Sequence, residues 1–169
     1  MFLRPLAFVR LATLALWLLL SGCATQLAPA YDRAVVDGLN AATVETMALL
    51  AGVSAGTTQA SFPVREDRYN QLIGRLEALA LLAGARPVPK NKVTDTINSL
   101  LAERGGPPLD DDGSTAPSVH AIKKIAETVT KLRDTDRKQG VNAFEAMAFK
   151  GQIAIYLDQA ITYENFLQR

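Results

Sequence analysis

The chain has 169 residues, 49% of them hydrophobic, with 18 basic and 17 acidic side chains for a net charge of +1. That length gives one domain with enough interior to fold without disulfides or bound metal, and near-neutral charge removes the electrostatic footprint of a nucleic-acid binder or of a polybasic patch on anionic lipid. A single cysteine, Cys23, excludes an intrachain disulfide, and a single histidine, His120, excludes any mechanism needing two imidazoles.

Met1–Arg10 holds Arg4 and Arg10 and no acid, Leu11–Leu20 reads LATLALWLLL, and the small residues Ser21 and Gly22 follow. That order is the order of an export signal, and the apolar run is shorter than the ~18–20 residues a bilayer span needs. An uncleaved anchor reaching from Leu11 to Ala30 would place Ser21, Gly22, Thr25 and Gln26 in lipid.

Leu20-Ser21-Gly22-Cys23 resembles the lipobox of bacterial lipoprotein precursors. The resemblance implies cleavage before Cys23, a diacylglycerol on its sulfur and acylation of the new amino group. One fatty chain binds a membrane only reversibly, whereas two or three on one residue make a lasting anchor. Ala24 follows the cysteine. An Asp there resembles the inner-membrane retention signal of enterobacterial lipoproteins, so the expected site is the outer membrane, facing the periplasm. The expected organisation is a signal peptide over 1–22, an acylated cysteine and tether over 23–30, and a helical domain over 31–169.

In the domain, the first helix is expected over Tyr31–Val53, with Val35 or Val36, Leu39, Ala42, Thr46, Leu49, Leu50 and Val53 at three- and four-residue steps. Gly56 ends it. Ser61-Phe62-Pro63 reads as the next start, with Ser61 as N-cap and Pro63 in the first turn. The second helix, about Val64–Ala85, has the cleanest stripe: Tyr69, Leu72, Ile73, Leu76, Leu79, Ala80 and Ala83. Arg65, Glu66, Arg68, Arg75 and Glu77 lie largely off that stripe, and Arg86-Pro87-Val88-Pro89 stops the helix.

A shorter third helix is expected over Lys92–Arg104, with Val93, Ile97, Leu100 and Leu101 inward, and Gly105–Pro117 reads as a long irregular loop. Ser118 is the expected cap of a fourth helix whose face is Val119, Ile122, Ile125, Ala126, Val129 and Leu132. Gly140 marks a turn. The fifth helix, about Val141–Arg169, has apolar residues over most of its circumference, including Phe144, Met147, Ile153, Ile155, Leu157, Ile161 and Phe166, and is therefore expected to be central. Alternation of period two never lasts six residues with β-branched enrichment, so the fold class is all-α, an antiparallel bundle of four to five helices.

Chemistry-bearing patterns are few. Asp110-Asp111-Asp112-Gly113 fails the calcium-loop spacing, because neither starting register has Gly sixth and Glu twelfth. His120 lacks a carboxylate on its helical face to orient it as a base. Asp32, Asp37, Glu45, Glu66 and Asp67 offer carboxylate pairs of the kind any charged helical protein has. No phosphate-binding glycine loop, nucleophile elbow or metal-ligand cluster occurs, and no cofactor is expected. Tyr156 and Tyr163 share one face of the last helix and are the candidate partner surface, or the edge of a core with the hydroxyl in water. Gly151 in that helix is read as a point of close approach by a neighbour.

Tyr31-Asp32 soon after the cysteine, the apolar Leu39–Val53 helix, and the last helix from Phe144-Glu145-Ala146-Met147-Ala148-Phe149 onward make the layout similar to a group of helical proteobacterial lipoproteins. That resemblance implies location and fold and carries no site. The expectation is a non-enzymatic module, tethered to the membrane through Cys23, that binds or supports another envelope protein. The alternative is an immunity or inhibitor lipoprotein that blocks an envelope toxin or enzyme, and a third is a carboxylate hydrolase.

Overall fold

Asp32 sets the start of the first helix: its carboxylate accepts from the Ala34 N–H at 2.8 Å, so α1 runs Arg33–Val53 rather than from Tyr31. In the computed structural model, which describes residues 28–89, 99, 103 and 115–168, all the domain's described long elements are helices. Val35, Leu39, Ala42, Thr46, Leu49, Leu50 and Val53 of α1 are buried, as their spacing predicts. α1 is also the one described helix long and apolar enough to cross a membrane by composition. Its apolar stripe packs on neighbouring helices, and a core helix has that composition too.

After Gly56, which turns the chain at φ +95°, Gln59–Val64 forms a 3₁₀ helix. Ser61 is therefore not the cap of the next α-helix. Its hydroxyl donates to the Thr58 carbonyl at 2.8 Å and accepts from Arg65 Nη2 at 3.2 Å. Pro63 has no N–H to give a helical ladder, which suits the short, tighter turn. Helix α2 (Glu66–Gly84) then starts with two acids, Glu66 and Asp67, on its positive end. The seven stripe residues from Tyr69 to Ala83 are all buried.

The expected Lys92–Arg104 helix lies outside the described residues, except Ser99 and Glu103, which are helical and exposed. Residues 105–114 of the expected loop also lie outside them. Helix α3 (Pro117–Gln139) starts on proline, with Ala116 as its N-cap. Ser118 is one residue too late to cap; it is buried in the first turn and its hydroxyl has no hydrogen-bond partner. The expected face, Val119 to Leu132, is buried throughout. Gly140 ends α3 at φ +79°, where a Cβ would stand 2.5 Å from the Thr57 carbonyl oxygen, so no other residue fits. Helix α4 (Ala143–Phe166) is opened by a reciprocal pair: Asn142 Oδ1 accepts from the Glu145 N–H, and Glu145 Oε2 from the Asn142 N–H, both at 2.9 Å.

Among the described helices the packed pairs are α1–α2, α2–α3, α3–α4 and α4–α1, a closed ring of four. Contacts fix the directions. Gly38 and Glu45 along α1 meet Leu79 and then Arg75 of α2, and the start of α2 meets the end of α3 through Glu66 and Arg137. Gly84 lies against Val119, and Gly56 just past the end of α1 lies beside Ala143 at the start of α4. Each neighbour is therefore antiparallel, the arrangement of an up-down-up-down bundle. α3 makes the most extensive contacts, with α2 on one side and α4 on the other, so it occupies the place expected of the last helix.

Candidate interaction surface

Among the described residues, two buried ion pairs hold the two ends of the bundle. At one end, Asp136 of α3 is fully buried and accepts four hydrogen bonds. Arg65 contributes two, Nε at 2.9 Å and Nη2 at 3.0 Å, and Tyr69 Oη donates at 3.1 Å. The fourth comes from Thr57 Oγ1, which in turn accepts from the Val141 N–H at 2.9 Å. Burial pushes the Asp136 carboxyl up, but the bonds from Arg65 and Thr57 outweigh it and hold it below the ordinary carboxylate range. Burial, then the Asp136 charge, raises the Tyr69 hydroxyl, so Tyr69 stays a neutral donor. Phe62 stacks on Tyr69 with ring centroids 6.2 Å apart, and Arg137 covers Phe62 at 5.4 Å.

At the other end, Arg86 grips Glu164 of α4 with two bonds, 2.8 and 2.5 Å, in a bidentate fork. Arg86 also donates to the carbonyls of Ala83 at 3.1 Å and Ala30 at 3.5 Å. The segment before α1, the end of α2 and the end of α4 are thereby joined at one guanidinium. Both clusters are saturated with internal partners, and their chemistry is that of clasps.

Helix α4 is the unusual element. Ala146, Ile153, Leu157, Ala160 and Glu164 face the core. On the opposite side of the helix, at about 100° per residue, lie Phe144, Ala148, Gly151 and Ile155, with Met147 on the flank of that side. These stand in solvent, with Phe144 73%, Met147 63% and Ile155 59% exposed. The apolar circumference that marks a central helix is here the sum of two opposite apolar faces, one packed and one open. From Phe144 to Ile155 the open face carries no charge; Asp158, Thr162 and Phe166 continue it. Gly151 is exposed on it with open space where a Cβ would stand, so none of the described helices explains this glycine.

The remaining expected residues fall as follows. Cys23 lies outside the described residues. Tyr156 and Tyr163 are half-buried and packed on the edge of the core, beside rather than on the open face. Burial, then the Glu164 charge, raises the Tyr163 hydroxyl. Pro117, Gln159, Thr162 and Tyr163 border an open groove of about 460 Å³. His120 is exposed beside Lys123 and Gln159. The carboxylates do not converge: Asp32 caps α1, Asp37 pairs with Arg33, Glu45 with Arg75 and Glu66 with Arg137. Glu77 and Glu127 do border one groove between α2 and α3, where the Lys124 hydrogen bond holds Glu127 below its ordinary value, the reverse of a general acid. Among the described residues no group of three or more His, Cys, Asp or Glu could hold a metal ion.

No protein-family model, curated protein or solved structure matches the chain, so the fold and the open face of α4 stand on the residues themselves.

Proposed function

We propose that this chain is a lipid-anchored module of the cell envelope, facing the periplasm from the outer membrane, that works by holding a protein partner against the open face of α4. The anchor is the acylated Cys23 of the lipobox, and the tether to the bundle is short. The observation that carries the binding role is the second apolar face of α4, uncharged over about its first three turns and without a function in the core. Monomers seldom leave such a face open unless it is used.

The face is one helix wide, with small residues, Ala148 and Gly151, between larger ones, Phe144, Met147 and Ile155. The occupant it fits is an amphipathic helix of another envelope protein, its ridge lying along the small residues. A photo-reactive residue in place of Ile155, in cells making the full chain, tests this. We expect a cross-link to an apolar helical segment of one envelope protein, abolished by Phe144→Glu. Whether that protein is a structural component or a toxin separates a scaffold from an inhibitor. A cross-link to a second copy of the chain, or none, contradicts the reading.

A further inference from the structure

The end of the bundle that carries the tether has its own exposed apolar residues, on helices other than α4. Leu81 and Leu82, in the last turn of α2, are 74% and 60% exposed, and Tyr31, just before α1, is also exposed. Leu81 and Leu82 project outward on either flank, away from the buried stripe of α2. None of the three serves the core or either clasp.

The leash to this end is shorter than the sequence suggests. Pro29 is buried, and the Ala30 carbonyl is held by Arg86, itself locked to Glu164. Only the six residues from Cys23 to Ala28 are left to span the gap, at most about 22 Å of chain. α4 has 24 residues, about 36 Å of helix, so an upright bundle keeps its far end well away from the surface. A tyrosine and two leucines at the leash are the residue types that settle at the boundary of headgroups and acyl chains.

We infer that this end of the bundle rests on the lipid surface, with Leu81, Leu82 and Tyr31 in that boundary. The bundle then stands upright and presents the α4 face sideways to the periplasm. This rests on the acylation of Cys23 proposed above. α2 and α4 sit at opposite corners of the ring, so a bundle lying on its α4 face would lift Leu81 clear of the lipid.

The test uses the full, processed chain in vesicles of phosphatidylethanolamine and phosphatidylglycerol. Nitroxide labels are placed through Leu81→Cys, Leu82→Cys, Met147→Cys and Lys138→Cys in separate samples, the native thiol being occupied by lipid. Collisions with oxygen, which favours lipid, are compared with collisions with a water-soluble nickel chelate. The expected result is a ratio several-fold higher at 81 and 82 than at 147 and 138. Equal ratios at all four positions, or the high ratio at 147 instead, overturn the upright docking while leaving the anchor intact. A mass spectrum of the amino-terminal peptide showing an unmodified Cys23 overturns both.

Discussion

The two faces of α4 have almost the same composition and opposite surroundings. Inward, Ile153, Leu157 and Ala160 are buried against α1 and α3; outward, Phe144, Met147 and Ile155 stand in water. The inner face stabilises the fold and the outer one does not, so the difference between them is a difference of purpose that composition alone hides. Substitutions on one face should move stability, and on the other only association.

The largest effect is expected at the end of the inner face. Glu164→Ala strands the Arg86 guanidinium in the interior and should cost about 3–5 kcal/mol in chemical denaturation, with much of it regained when Arg86→Met is added. Next comes a matched pair. Ile153→Ala should cost about 2–5 kcal/mol through lost burial and a cavity. Ile155→Ala, two residues on, should stay within about 0.5 kcal/mol. Equal losses from the two would mean that the outer face is structural.

The clasp on α3 sharpens the contrast through pH. The Asp136 carboxyl is lowered in the folded state, so the stability it contributes is complete above its unfolded value, about 4, and is lost as pH falls through the lower folded value. Melting temperature should be nearly flat from neutrality to about pH 5 and fall below about pH 4, and Asp136→Asn should flatten the acid limb. The other small effect is a gain. Gly151 is exposed in mid-helix with room for a Cβ, so Gly151→Ala should raise stability by about 0.5–1 kcal/mol. A loss would mean that α4 is distorted there.

Three helix stripes were legible in the sequence because each has one apolar face at helical spacing. The residues assigned to those of α1, α2 and α3 are buried, with Val35 rather than Val36 taking the first place on α1. α4 misled for a physical reason: periodicity reports which side of a helix is apolar, and when two opposite sides are, it cannot say which is covered. Ser61 and Ser118 look like caps, but the prolines beside them set local geometries in which the hydroxyl serves another purpose or none. The clasps were illegible because their partners are 71 and 78 residues apart, and nothing local distinguishes Asp136 or Glu164 from the surface acids around them. Tyr156 and Tyr163 were the aromatic signal the sequence offered, yet the open face runs beside them, through residues that read as core.

The most direct test of that face is the mass of the native assembly. The full, acylated chain, extracted from membranes in mild detergent, should run larger than a monomer, and Met147→Glu with Ile155→Glu should return it to monomer mass with an unchanged melting temperature. A wild-type chain that is itself a monomer, or a dimer of its own copies, in gently extracted membranes, or a double variant that unfolds, would contradict the account.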